Sequence, residues 1–161
     1  MFFGTQQKFT MPSMGLGENI RKMSKLLRTL RAVQWAMLLS IVLYGVIGEL
    51  TGPRVTHVDQ TLSYIFTSLS VGIVGMIFIV RRTLVLRAQP ALSLNPEDAL
   101  SLNHWKTGYI ATYALCEALA LFGLVLRIRG SALQQSLLFY AAGFTLMLFF
   151  RPIRPAVVKA I

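Results

Sequence analysis

The sequence predicts an all-α integral membrane protein: four transmembrane helices in an antiparallel bundle, with short amphipathic helices at the membrane surface. Three observations predict it. Apolar residues make up 55% of the 161-residue chain and charged residues only 14%, and the mean hydropathy is +0.61. A soluble domain is about 45–50% apolar even with glycine counted. Apolar runs recur at about 32–50, 61–80, 107–126 and 133–150, each near the roughly 20 residues that a helix needs to cross the hydrocarbon. Finally, the lysines and arginines, which give a formal charge of +10, sit beside these runs.

Their distribution sets an orientation. With an even number of spans, Lys8, Arg21, Lys22, Lys25, Arg28, Arg31, Arg81, Arg82, Arg87, Lys106, Arg151, Arg154 and Lys159 fall on one side, and only Arg54, Arg127 and Arg129 on the other. The positive-inside rule then places both termini in the cytoplasm, and the expected location is the inner (cytoplasmic) membrane. Residues 1–16 read as an irregular tail without a cleavable signal peptide. Residues 17–31 form a basic amphipathic helix: Ile20, Met23, Leu27 and Leu30 recur at helical spacing between Arg21, Lys22, Lys25, Arg28 and Arg31. Such a helix suits a surface of anionic headgroups.

The transmembrane domain occupies 32–150 and a basic cytoplasmic tail 151–161. In the first span Gln34 and Trp35 mark the start, Ser40 lies near mid-depth, and Tyr44, Gly45 and Gly48 form a small-residue patch before Glu49. Gly52 and Pro53 then turn the chain. The second span carries Ser68 and Gly72, a small-xxx-small pair that admits a close helix, and ends at Arg81 and Arg82. Its helix is expected to stop at Gln89-Pro90. Asn95-Pro96-Glu97-Asp98 predicts a helix start with Asn95 as the cap, leading through a short interfacial helix to the anchors Trp105 and Lys106. After the third span the short RIRGSA connection makes the last two spans antiparallel neighbours. Phe139, Phe144, Phe149 and Phe150 are expected to face lipid or another subunit. WAMLLSIVLYGVIGELTG from Trp35 also aligns with YALCEALALFGLVLRIRG from Tyr113, hinting at a helix-pair repeat in which Leu39 is the counterpart of Glu117.

Glu117 is the candidate functional residue. It lies near the middle of the third span, where a charge costs roughly 3 kcal/mol on insertion scales. No basic residue falls at that depth in the sequence. Hydroxyls do: Ser40, Ser70 and Tyr140 on the other spans, with Tyr113 on the helical face of Glu117 itself. A protonated Glu117 bonded to one of these resolves the cost. Ala111, Ala114 and Ala118 narrow the helix so that a second can shield the carboxyl. Two roles follow for this set: a neutral acid holding helices together, or a proton or cation site.

The segment CEALALFGLVL, residues 116–126, resembles the carboxylate-bearing helix of the rotary ATPase proteolipid, subunit c, in which Glu or Asp precedes an apolar run with an aromatic-Gly pair. Arg87-Ala88-Gln89-Pro90 is similar to the polar Arg-Gln-Pro loop of that family. The resemblance implies that Glu117 is an ion-binding carboxylate, that the second span is its partner helix, and that the chain belongs to, or derives from, a ring subunit.

Other chemistries find no support. There is no RNP motif, zinc-finger spacing or basic recognition helix, so nucleic acid is not an expected partner. Cys116 is a lone cysteine and reads as a packing residue. His57 and His104 fall at opposite membrane faces. No nucleophile-base pair, phosphate loop or HExxH pattern occurs, so neither catalysis, nor a metal, nor a cofactor is expected. The sequence thus points to a non-catalytic accessory or structural subunit of a membrane energy-converting or transport complex, held by other subunits or by self-association. The alternative is a proteolipid-like translocating subunit that uses Glu117.

Overall fold

The computed structural model describes residues 14–53, 60–94 and 98–152. Every element among them is helical: α1 (Met14–Thr51), α2 (Gln60–Val80), a π-helical segment (Arg81–Leu86), α3 (Arg87–Leu94), α4 (Ala99–Ile128) and α5 (Leu133–Phe149). Three stretches, Met23–Thr51, Gln60–Leu92 and Ala99–Ile128, are long and apolar enough to cross a membrane by length and composition. The apolar helix α5 is shorter, at 17 residues, or about 25 Å at 1.5 Å per residue.

Side-chain contacts fix the helix directions. Near the end of α4, the Arg127 Nε–H donates to Glu49 Oε1 near the end of α1 at 2.9 Å, so these helices run parallel. Gln135 at the start of α5 donates to the Ser63 hydroxyl at the start of α2. At the opposite end, Gln34 of α1 donates to the Met147 carbonyl of α5 at 2.8 Å. Thus α2 and α5 run against α1 and α4. All other helices pack on α4, whereas α1 and α2 do not pack on each other.

The core follows from that arrangement. Trp105, Tyr109, Tyr113, Cys116, Leu119 and Ala120 of α4 are buried among Leu38, Ile41, Ile77, Val85 and Met147. Glycines bring α4 and α5 together: a Cβ on Gly143 would stand 2.6 Å from the Cys116 carbonyl oxygen, and one on Gly123 would stand 2.9 Å from that of Ser136. Close backbone approach of this kind supplies packing where lipid offers no hydrophobic drive.

Several sequence expectations change. The amphipathic segment and the first span are one unbroken helix that already includes Met14, because no proline or glycine falls between Glu18 and Tyr44. The expected short interfacial helix is likewise the first turns of α4, whose cap is Asp98 rather than Asn95. Asp98 accepts the Leu100 N–H at 3.3 Å and the Ser101 hydroxyl. Pro90 lies inside α3 instead of ending the helix. The π segment just upstream widens the helix, one of the ways in which a helix absorbs a local defect in its bonding ladder. Phe139 and Phe150 are buried, leaving Phe149 as the strongly exposed member of its group. Ala114 is exposed and Ala111 and Ala118 are half-buried, while α5 approaches α4 closely over Gly123 and Gly143. Residues 1–13, Arg54, His57, Asn95, Pro96, Glu97, Arg154 and Lys159 lie outside the described residues.

A paired substitution tests the helix contact. Gly143→Ala is expected to lower stability by about 1–3 kcal/mol through overpacking against the Cys116 carbonyl. Gly45→Ala, with nothing within 4 Å, is expected to be neutral or to stabilise by about 0.5–1 kcal/mol. Thermal unfolding in detergent separates the two; equal shifts would contradict the packing.

Candidate functional site: a carboxyl between α1 and α4

Ser40 and Tyr44 are one helical turn apart and so share a face of α1. That face meets Glu117 of α4. The Ser40 hydroxyl donates to Glu117 Oε1 at 2.7 Å, and the Tyr44 hydroxyl donates to the same oxygen at 2.8 Å. Tyr140 of α5 stands one step behind, donating to the Tyr44 backbone carbonyl at 3.4 Å. Gly48 makes room for it: a Cβ there would come within 2.8 Å of the Tyr140 hydroxyl. Glu117 is half-buried. Its neighbours Ala114 and Leu121 are exposed, so the carboxyl lies at the border between the α1 interface and the outer face of α4.

The other expected members lie elsewhere. Ser70 donates to the Phe66 carbonyl of its own helix at 2.7 Å and lines a cleft between α2 and α5. Tyr113 points toward the end of α5, where its hydroxyl donates to the Phe150 carbonyl at 3.3 Å. Tyr44 is the member that sequence reasoning missed. Its spacing of one turn from Ser40 was the available signal.

The chemistry open to this cluster is narrow. Three oxygens, from Glu117, Ser40 and Tyr44, converge within hydrogen-bond distance. Such a set can hold a proton or a small monovalent cation. Arg127 lies almost three turns further along α4, about 15 Å by helical rise, and is paired with Glu49. No group of three or more His, Cys, Asp or Glu suited to a metal occurs among the described residues.

The surface residues divide. Arg21, Lys25, Arg28 and Arg31 are exposed on α1 around the buried Leu27 and Leu30, while the Lys22 side chain lies outside the described ones. Arg82 and Lys106 are exposed. Arg81 is half-buried and Trp105 fully buried, unlike anchors at an interface. At the cap of α4, the Ser101 hydroxyl, aided by the Leu100 N–H, holds the Asp98 carboxyl below the ordinary carboxylate range. The chain matches no protein-family model, no curated protein and no solved structure.

Proposed function

We propose that this chain is a four-span inner-membrane protein with cytoplasmic termini. In this reading it serves as a non-catalytic accessory or structural subunit of a larger membrane energy-converting or transport complex. The observation that carries this reading is the outer face of α2. Ser68, Gly72 and Gly75 recur there at helical spacing and are exposed, with nothing within 4 Å of a Cβ built on either glycine. Ser63 and Ile77 are the buried residues of α2. A small-residue face lets the backbone of another transmembrane helix approach closely, and no helix among the described residues takes that place. The exposed cations of α1 suit anionic headgroups beside it.

Gly72→Leu isolates the contact, because the added side chain meets nothing in its own chain. The unaltered protein is expected to migrate in mild detergent within a larger assembly. The variant is expected to migrate as a monomer with an unchanged unfolding temperature. A wild-type monomer, or a variant that stays assembled, would sink the reading.

A second reading is favoured by the two hydroxyls on Glu117 and by the local likeness to the proteolipid helix. Here Glu117 binds a proton or a monovalent cation that the complex translocates. Dicyclohexylcarbodiimide is then expected to label Glu117, with labelling suppressed by sodium or by high pH. Absence of labelling in the intact membrane would remove this reading while leaving the first untouched.

A further inference from the structure

At the cytoplasmic end of the fold, as read above, two buried donors among the described residues lack an acceptor. Arg81 Nη1 and Trp105 Nε1 are both buried without a partner. They belong to one stack: the Arg81 guanidinium lies 4.2 Å from the Phe150 ring centroid and 5.7 Å from that of Tyr109, and the Tyr109 and Trp105 centroids are 4.9 Å apart. A buried donor left unpaired is destabilising, more so when charged. The ion pair found among the described residues is Arg127–Glu49 and not one to Arg81. Around the stack, Arg82, Lys106 and Arg151 are exposed and have no ion-pair partner among the described residues. The two rings hold the guanidinium plane in place, and a fixed planar fork suits the oxygens of a phosphate.

A second feature lies further along α2. A cleft of about 430 Å³ opens between α2 and α5, lined by Thr67, Val74, Leu119, Leu138, Phe139 and Ala142. The Ser63–Gln135 hydrogen bond bridges α2 and α5 at one end, where Gln135 lines the cleft, and the Phe78–Phe150 ring contact joins α2 to the residue after α5 beyond the other. Bridged in this way, it does not admit a helix about 10 Å across. Its volume and apolar lining suit a flexible hydrocarbon chain entering from the side. Val74 and Arg81 are seven residues apart in sequence, about 10 Å by helical rise, and exposed Phe78 lies between them.

We infer that the chain binds one anionic phospholipid, its phosphate on Arg81 and one acyl chain in the α2–α5 cleft. Basic sites between helices on the cytoplasmic side are suited to anionic headgroups. The cleft supplies the apolar half of the site, and the half-buried Arg81 guanidinium, held between two rings and without an ion-pair partner among the described residues, supplies the cationic half.

Native mass spectrometry of the detergent-purified full chain tests the inference with three probes: dioleoyl phosphatidylglycerol, dioleoyl phosphatidylcholine and inorganic phosphate. One phosphatidylglycerol per chain is expected to survive activation that strips phosphatidylcholine, and inorganic phosphate is not expected to compete. Arg81→Gln is expected to weaken retention about tenfold or more, while Arg82→Gln leaves it unchanged. Ala142→Phe, which fills the cleft, is expected to weaken dioleoyl but not dihexanoyl phosphatidylglycerol. Should Arg81→Gln misfold, Arg81→Lys keeps the charge and loses the fork, and is expected to weaken retention by a smaller factor. Equal retention of both lipids, equal effects of the Arg81 and Arg82 variants, full competition by inorganic phosphate, or unchanged retention in both Arg81→Lys and Ala142→Phe would overturn it.

Discussion

A carboxyl group in an apolar helix has to be solvated by the protein, and Glu117 is solvated by α1. Helix α4 is long and apolar enough to cross a membrane by length and composition, and no Lys or Arg pairs with Glu117 among the described residues, so the carboxyl depends on donors delivered by a neighbour. Ser40 and Tyr44 deliver two, both to one oxygen. The bond fixes the register of α1 on α4, because a shift of α1 by one residue would rotate both hydroxyls away together. Tyr140 extends the link to α5 through the Tyr44 carbonyl. One acidic side chain is therefore coupled to three helices.

The rest of the architecture keeps α4 in a position to receive those partners. Gly123 and Gly143 draw α5 against it at backbone distance. The aromatic series Trp105, Tyr109 and Tyr113 fills the opposite end of α4, with Arg81 and Phe150 laid on it. The π segment carries the chain past this stack, and a Cβ on Gly108 of α4 would come within 2.7 Å of Val85 in that segment. Tight contacts thus surround α4, while α1 and α2 present apolar residues such as Leu39, Val42, Val71 and Ile79 outward. An inside-packed, outside-apolar arrangement is compatible with a bilayer as solvent.

The helical segments were legible in the sequence because apolar runs and their charged ends record them directly. Their continuity was less so. Start and stop signals such as Asn95-Pro96 and Gln89-Pro90 are local preferences; α4 takes Asp98 as its cap, and α3 carries Pro90 within it. The site was half legible for a related reason. Depth can be counted along a span, so Ser40, Ser70 and Tyr140 all qualified. Which helix faces meet cannot be counted. Ser70 lies at the α2–α5 cleft, and its hydroxyl bonds its own backbone. Tyr44 was read as part of a small-residue patch although its hydroxyl shares the face of Ser40. Phe150 looked lipid-facing until Arg81 was found stacked on it.

The central claim is that the hydroxyls of α1 stabilise the carboxyl of α4. A double-mutant cycle on Tyr44→Phe and Glu117→Leu, read by reversible unfolding in bicelles, measures this coupling directly. Interhelical hydrogen bonds in membrane proteins average about 0.6 kcal/mol and reach about 1.7. The account predicts a stabilising coupling toward the upper part of that range. Strict additivity of the two substitutions would contradict it.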